Sequence, residues 1–536
     1  TAAGEAIGEL DRWAAQWQHS VTASCRATVI DRVQPPELDA LRRGCLDQLV
    51  ERLRPIVVLT VRADAELVAR AGTLVSALPS PARCDDVAAL AALPPLPPAE
   101  RDRAEILATR NQLAELEAAI VGGRAAQLDV AVIAAQRRAD SLGYLPLRAR
   151  SMFLGARLAS SRSHYDQAIA SLHGAARSAT AARDLGMLAE IWIELVQILG
   201  NDLRTLDDAD VFDGYAEGLV SQLPDRGALE LSLALARCNR NGTAATAALH
   251  AKHCQDAIDR AGRAVPPNAR IANAARVRLG HFQRLQGEPA LALATLASAV
   301  DEAVRVHGTQ HPDTAVARYS LGIALISADR FDDGIAQLRQ ALAIRRAAFP
   351  AGSIAVAESL QGLGDALASK GEDKEAIDHL VQAIAMLDAV HQSASAHAAN
   401  AHILLGMSLE AVKRDDDAIV HYLRGADIAD RSLQHREALA AMGLRLASNL
   451  EAAHGRPANG IIHIERALRL QERGKSSPAE LGKTQLRMTE LLLATGDHAR
   501  ARTMGAAARA SFVTSGTASA ADLAELDRYL RQHKLR

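Results

Sequence analysis

The chain is 536 residues long, more than one ordinary core accommodates, so it must be several domains or an extended array. Sixty-one basic against 63 acidic side chains leave a formal net charge of -2, which excludes the electrostatic footprint of a general nucleic-acid or acidic-membrane binder. With 49% hydrophobic but only 3% aromatic residues, the apolar supply is mostly Ala, Leu, Val and Ile, which suits close helix-on-helix packing and argues against a sandwich or barrel.

Residues 1–98 carry no internal period. Leu10, Trp13, Trp17 and Val21 trace one face of a long helix, and a second helix runs from Glu37 to about Arg54, where Pro55 is expected to stop or kink it. A third follows Asp64, which suits an N-cap. "LAALPPLPP", residues 90–98, reads as a proline-rich hinge. The longest apolar run, Pro55 to Val61 between Arg54 and Arg62, falls far short of the roughly 20 residues of a membrane span, so no direct membrane insertion is expected. The chain opens at Thr1 without a basic-then-apolar leader, which reads as a processed product or an excised part of something longer. Its five cysteines form no CxxC pair and no zinc spacing. Cys25 and Cys45 lie about equally far from Pro35-Pro36; in a hairpin turning there they could bond in an oxidising compartment, or they could be two buried small hydrophobes.

From residue 99 to 265 the pattern is one of degenerate helix pairs. Leu154-Gly155 followed by Tyr165 and Ala168 reads as one pair, and Gly122-Gly123 as the elbow of another. "AEIWIELVQILG", residues 189–200, is a buried helix in which Trp192 is assigned to the core. Between 201 and 265 the phase slips.

Residues 266–516 repeat with a step of 42. Leu-Gly recurs at Leu279-Gly280, Leu321-Gly322, Leu363-Gly364 and Leu405-Gly406. The same step links small residues at Ala292, Gly334, Ala376, Ala418 and Gly460, and again at Ala299, Ala341, Ala383, Gly425 and Ala467. Between them lie Leu296, Leu338, Leu380, Tyr422 and Ile464, a large apolar position on the same helix face. Each unit is therefore helix A, an elbow, helix B and a loop, with elbows at Gly287-Glu288, Asp329-Arg330, Gly371-Glu372, Arg414-Asp415 and Gly455-Arg456. The glycines inside helix A cost about 1 kcal/mol each relative to alanine, so close contact with a neighbouring backbone is expected to compensate. A single unit cannot bury its apolar face, and stacking is required. Thr495-Gly496-Asp497 marks a last elbow, and Ala520 to Gln532, within residues 517–536, reads as a C-terminal capping helix.

These landmarks resemble the tetratricopeptide family in its 42-residue variant, and "GTQHPDTA", residues 308–315, is similar to the inter-repeat loop of kinesin-light-chain-type repeats. "ASCRATVIDR", "LRRGCLDQLVERL", "ADAELVARAG" and "ALPSPARCDDVAAL" resemble, in order, the segment preceding the repeats in large bacterial serine/threonine kinases of the myxobacterial type. That resemblance implies a parent polypeptide with a kinase domain and a membrane-spanning linker. The chain itself has no Gly-rich phosphate loop, His-Arg-Asp or Asp-Phe-Gly. The tetratricopeptide resemblance implies an all-α, right-handed α-solenoid with a helical N-terminal module, whose A helices line a concave groove. Positions flanking Leu-Gly then become the candidate partner-binding residues: Arg278 (or Val277) and His281, Tyr319 (or Ser320) and Ile323, Gln361 and Asp365, and Met407 with Ile403 or Leu404. Family members that hold extended peptides often carry paired asparagines before Leu; "VRLG", "YSLG", "QGLG" and "ILLG" depart from that and put a carboxylate clamp in doubt.

No enzyme is visible. The eighteen histidines are scattered, there is no zinc helix or nucleophile elbow, and His311 before Pro312 fits a turn better than catalysis. Asp415, Asp416 and Asp417 suit the positive end of a helix dipole and supply too few ligands for calcium. No cofactor and no metal are expected. The reading is a non-catalytic protein or peptide-binding scaffold or sensor, by resemblance the C-terminal part of a bacterial serine/threonine kinase, with self-association left open. The rivals are a stand-alone adaptor and an enzyme with a dispersed site. The compartment stays open between the cytoplasm and the outer face of a bacterial membrane.

Overall fold

The computed structural model describes residues 2–61, 63–125, 128–162, 164–203, 205–264, 267–349, 353–432, 436–474 and 476–533. Thr1, Arg62 and the 265/266 boundary lie outside these residues. Among the described residues every regular element is helical, and no helix is long and apolar enough to cross a membrane. The chain divides into two compact units, Thr1–Ala328 with Ala343–Pro350, and Asp329–Leu342 with Ala351–Arg536.

The first unit opens with α1 (Ala2–Cys25), α2 (Pro36–Val61), α3 (Ala65–Ser76) and α4 (Val87–Ala92). The expected stripe of α1 is its packing face: Trp13 Nε1 donates to the Pro79 carbonyl at 2.9 Å and Trp17 Nε1 to the Leu46 carbonyl at 3.0 Å, so each indole buries its body and satisfies its one donor. The second helix does not stop at Pro55. It runs on to Val61, and Ile56, 4% exposed, packs with Leu67, Leu74 and Ala118. That burial offsets the roughly 3 kcal/mol that an interior proline costs. Asp64 caps α3 as expected, accepting the Leu67 N–H at 2.9 Å.

Cys25 and Cys45 are not bonded to each other. Cys45 is joined to Cys84, Cys238 to Cys254, and Cys25 is free and exposed. The helical hairpin on which the other pairing depended is altered by a π-helical turn, Arg26–Ile30, that prolongs α1 past Cys25. A 3-10 turn, Pro81–Asp85, packs on both α1 and α2 and brings the wholly buried Cys84 to Cys45.

Helix pairs follow: α5 (Glu100–Val121) with α6 (Asp129–Leu142), α7 (Leu145–Ser160) with α8 (Tyr165–Ala181), α9 (Leu185–Gln197) with α10 (Leu206–Gln222), α11 (Gly227–Asn239) with α12 (Ala247–Arg263), α13 (Ala269–Leu285) with α14 (Pro289–His307), and then α15 (Pro312–Ser327). The division between units runs through α16 (Phe331–Ala348). The second unit continues with α17 (Ile354–Lys370) and α18 (Asp373–Ala389), α19 (Ala396–Ala411) and α20 (Asp415–Ser432), α21 (Glu437–Ala453) and α22 (Pro457–Arg473), α23 (Pro478–Ala494) and α24 (His498–Ser515), closed by α25 (Ala520–Gln532). Within each unit successive A helices touch one another, whereas successive B helices make at most marginal contact. The A helices therefore form the inner layer.

The small-residue registers are buried as the stacking requires: Ala292, Ala376, Ala418, Ala299, Ala341, Ala383 and Ala467 are all at 0% exposure. The helix A glycines have their compensation in a specific contact. A Cβ on Gly280 would sit 2.5 Å from Leu296 Cγ, on Gly364 2.7 Å from Leu380 Cγ, and on Gly406 2.6 Å from Tyr422 Cδ1. In these three pairs the large residue of helix B thus seats in the notch left by the glycine of helix A, and side chains more than backbone fill it. Tyr422 brings a hydroxyl to this position and donates it to Glu410 at 2.7 Å.

Two further registers fix the ends of the helices. The residue in the left-handed conformation at each elbow is Gly287, Asp329, Gly371, Lys413 and Gly455, one every 42 positions. At Asp329 and Lys413 a side chain occupies the place where glycine would be free of strain. At the helix starts, His311 Nδ1 accepts the Asp313 N–H, Ser353 Oγ the Val356 N–H and Ser395 Oγ the Ala398 N–H, again 42 apart. Each cap satisfies one of the donors that a first turn leaves unpaired.

Candidate functional site

The exposed face of the A helices follows from the same register. The glycine is buried against helix B, so the next residue points to the other side of the inner layer. His281 and Ile323 at that position are partly buried; Asp365 is exposed and Met407 is 48% exposed. Continuing the step of 42 reaches Asn449, also exposed, although "Ala447-Ser448" replaces Leu-Gly there. The residues before the glycine behave differently. Val277, Gln361 and Ile403 are buried, and Arg278, Tyr319, Ser320 and Leu404 are partly buried.

Arg278, His281, Tyr319 and Ile323 belong to the first unit, on α13 and α15, which pack on one another. Arg278 donates to the carbonyls of Asn239 (2.8 Å) and Arg240 (3.0 Å), closing the end of α11, and its guanidinium lies over the Phe282 ring. Burial and the neighbouring Arg278 and Arg284 lower the His281 pKa to about 4, so it is neutral at physiological pH. Tyr319 has the Arg345 guanidinium 5.1 Å above its ring. Gln361, Asp365 and Met407 belong to the second unit. The Asp365 carboxyl, though exposed, is crowded enough that desolvation raises its pKa.

On the second unit's inner layer the register opens into a cavity of about 610 Å³ between α21 and α23. Asn449, Arg445, Lys483, Arg487 and Glu490 line it with the methyl groups of Ala452 and Ala453. Arg445 and Lys483 share Glu480, at 3.0 and 2.9 Å, and Arg487 pairs with Glu490 at 2.7 Å. Three bases against the two acids they pair with, Glu480 and Glu490, leave the rim an excess of one positive charge. The sequence held the signal for Asn449, since it lies 42 residues after Met407, but the lost Leu-Gly landmark hid it.

In the first unit the chain's own N-terminal helices pack on the inner layer at α5 and reach α13 by a side-chain contact. Arg52 of α2 pairs with Glu117 of α5 at 2.8 Å, and Arg150 of α7 bonds both Glu117 and, at 3.1 Å, Glu190 of α9. Arg270 of α13 bonds Thr73 of α3, and the Arg70 guanidinium lies 5.5 Å from the Phe349 ring centre.

Three metal-ligating side chains gather among the described residues, His307, His311 and Asp313. Their atoms already have structural work. His311 Nδ1 caps α15, Asp313 is 3.3 Å from Arg270, and the two imidazoles stack with centroids 4.6 Å apart. His311 thus serves as the N-cap of a helix and not as the turn residue expected of it.

Residues 270–347 and 321–389 match the family model described as tetratricopeptide repeat. The chain thus contains tetratricopeptide repeats, and its consecutive helix pairs pack in the manner of such a solenoid. No curated protein matches the chain. Among solved structures it is similar to a Rap protein complexed with Competence and Sporulation Factor, at 14% identity over 66% of this chain and 100% of that one, with a TM-score of 0.40. It is also similar to Aspartyl phosphate phosphatase F from Bacillus subtilis, at 12% identity over 66% and 94% of the chains, with a TM-score of 0.37. The nearly identical TPR-like repeats of a Podosopora anserina kinesin-light-chain-type protein align at 14% identity over 46% and 96%, with a TM-score of 0.28. The repeat assignment rests on the matched residues and on the helix pairs themselves.

Proposed function

We propose that the chain is a non-catalytic scaffold that holds a segment of a protein partner against the inner layer of its second unit. The observation that carries this is the register running from Asp365 through Met407 to Asn449 and opening into the cationic cavity at Arg445, Lys483 and Arg487. An apolar contact at Met407 followed by a basic cavity suits a partner segment with an apolar anchor and downstream acidic residues. Arg278, His281, Tyr319 and Ile323 would act as a second contact region in the first unit. The resemblance of the N-terminal segment supports placing the chain after a kinase domain and membrane linker in one bacterial polypeptide. Two disulfides favour an oxidising compartment, which agrees with the outer face of a membrane.

The test is capture with the full chain followed by crosslinking and peptide mapping. Crosslinks should fall on α19, α21 and α23, and Arg487→Glu or Met407→Asp should each weaken capture at least tenfold. Capture unchanged by both, with crosslinks confined to B helices, would remove the proposed face. The reading frame upstream of Thr1 tests the kinase placement separately.

A further inference from the structure

The N-terminal helices do not seal against the inner layer of the first unit. They leave a cleft with two lobes of about 460 and 190 Å³, which share Arg83, Leu90, Leu93, Asp184 and Glu190 in their walls. The larger lobe falls within the size of pockets that seat small ligands. It lies between α4, the start of α9 and the α10–α11 loop, with Leu185, Leu223 and Leu229 adding apolar wall.

Four charged groups of this cleft stand outside hydrogen-bond and ion-pair distance of any partner among the described residues. Arg83 in both lobes and Arg110 in the smaller one make no hydrogen bond or ion pair, and Arg110 NH1 is buried. Among the acids, Asp225 of the larger lobe and Glu51 of the smaller are equally without such a partner, and Glu51 Oε2 is buried. Burial raises the Asp225 carboxyl, with Arg83 opposing, and lowers the Arg110 guanidinium, with Tyr144 and Glu51 opposing. These half-buried groups attract one another across the cleft, Arg83 with Asp225 and Asp184 and Arg110 with Glu51, without closing to hydrogen-bond distance, so a ligand seated between them can make the contacts they do not make directly. The complement needs an anionic group for the guanidiniums, a cationic group for the carboxylates, and an apolar body for the leucine walls.

We propose that this cleft is a binding site for a short apolar peptide with both termini free, its ammonium group toward Asp225 and Asp184 and its carboxylate toward Arg83 and Arg110. The larger lobe has room for a few residues rather than one amino acid. The site is separate from the face proposed for the protein partner, and it joins the N-terminal helices to the repeats, so occupancy would tighten that contact.

Isothermal titration of the full chain with Leu-Leu-Leu tests this, beside its N-acetylated and C-amidated forms and free leucine. The tripeptide should bind, each blocked form should bind at least tenfold more weakly, and so should the variants Arg83→Gln and Asp225→Asn. Ala89→Trp, placed on the exposed wall of the larger lobe, fills the space without removing a charge and should also abolish binding while helix content stays unchanged. No binding by the wild type at millimolar tripeptide, free leucine binding as tightly as the tripeptide, or affinity indifferent to all three variants would overturn the proposal.

Discussion

Gly280→Ala is the sharpest test of how the repeats close. In an ordinary exposed helix the change would stabilise by about 1 kcal/mol, because alanine is the better helix former. Here the added methyl would meet Leu296 Cγ at 2.5 Å and its two methyls at 2.9 and 3.1 Å, all inside contact distance. Leu296 is 1% exposed and its branch point has no free direction in which to move. Overpacking of this kind costs about 1–3 kcal/mol, so the net effect should be a destabilisation of about 1 kcal/mol after the propensity gain. Leu296→Ala alone should cost about 2–5 kcal/mol through its cavity. In the double variant the new methyl enters the vacated space, so the pair should be coupled favourably by at least about 1 kcal/mol. Urea unfolding followed by circular dichroism, with the slope of the transition checked for constancy, gives all four corners of the cycle. A stabilised Gly280→Ala with additive changes would show that the notch is not filled by Leu296, and the account of every helix A glycine would fall with it.

Lys413 holds a left-handed conformation at φ 64°, where a Cβ is strained, so Lys413→Gly should stabilise by about 1 kcal/mol, and a loss of stability would mean the side chain earns its place by contacts. Thiol counting on the denatured, unreduced protein should find one free cysteine, Cys25; three or five would show one or both disulfides absent. Replacing Cys45 and Cys84 together by serine opens a 39-residue separation and should cost about 4 kcal/mol by the loop-entropy relation. His402 and His421 share one Nδ1···Nδ1 hydrogen bond of 2.9 Å, so one ring must be the acceptor and stay neutral. Burial first, then His421 and Arg424 against the opposing Asp388, lowers the His402 pKa from about 6.5 to about 4; burial also lowers His421, with Asp417 and Arg414 acting in opposite senses. The unfolded chain therefore takes up protons between pH 6.5 and 4 that the folded one refuses, and stability should fall as pH drops through that window. His402→Gln should flatten the fall; an unchanged pH profile would exclude the pair as its source.

Much of this architecture was legible because close packing writes itself into side-chain volume. Ala292, Ala376 and Ala418 can be read as buried from spacing alone, since any larger residue would hold the helices apart. Conformation is less legible than volume. The elbow register passes through Asp329 and Lys413, which share no chemistry with glycine, so the 42-residue step at that position shows only in the backbone angles. The cap register is hidden in the same way, because imidazole at His311 and hydroxyl at Ser353 accept the same backbone donor. At the binding face, Gln361 was counted as lining the groove although its position lies three before the glycine and turns it into the core at 7% exposure. In the second unit the residue that follows the glycine is the informative one, since Asp365 and Met407 are exposed there while Gln361 and Ile403 are buried.

The least legible feature is the one with the most chemical consequence. A periodic sequence constrains its own neighbours, whereas the N-terminal helices meet the repeats across long separations, as when Thr73 meets Arg270 and Arg52 meets Glu117. Such contacts leave no pattern in either segment. They do leave a trace in the charges: Arg52, Arg150 and Glu117 are in direct contact, while Arg83 with Asp225 and Arg110 with Glu51 in the adjoining cleft attract one another only at longer range. A merely structural junction would be expected to close its polar groups as the first set does, because each unpaired group lowers the stability of the junction. The second set is retained where the wall is apolar and the space is open, which is the arrangement a ligand can complete and a folded core cannot.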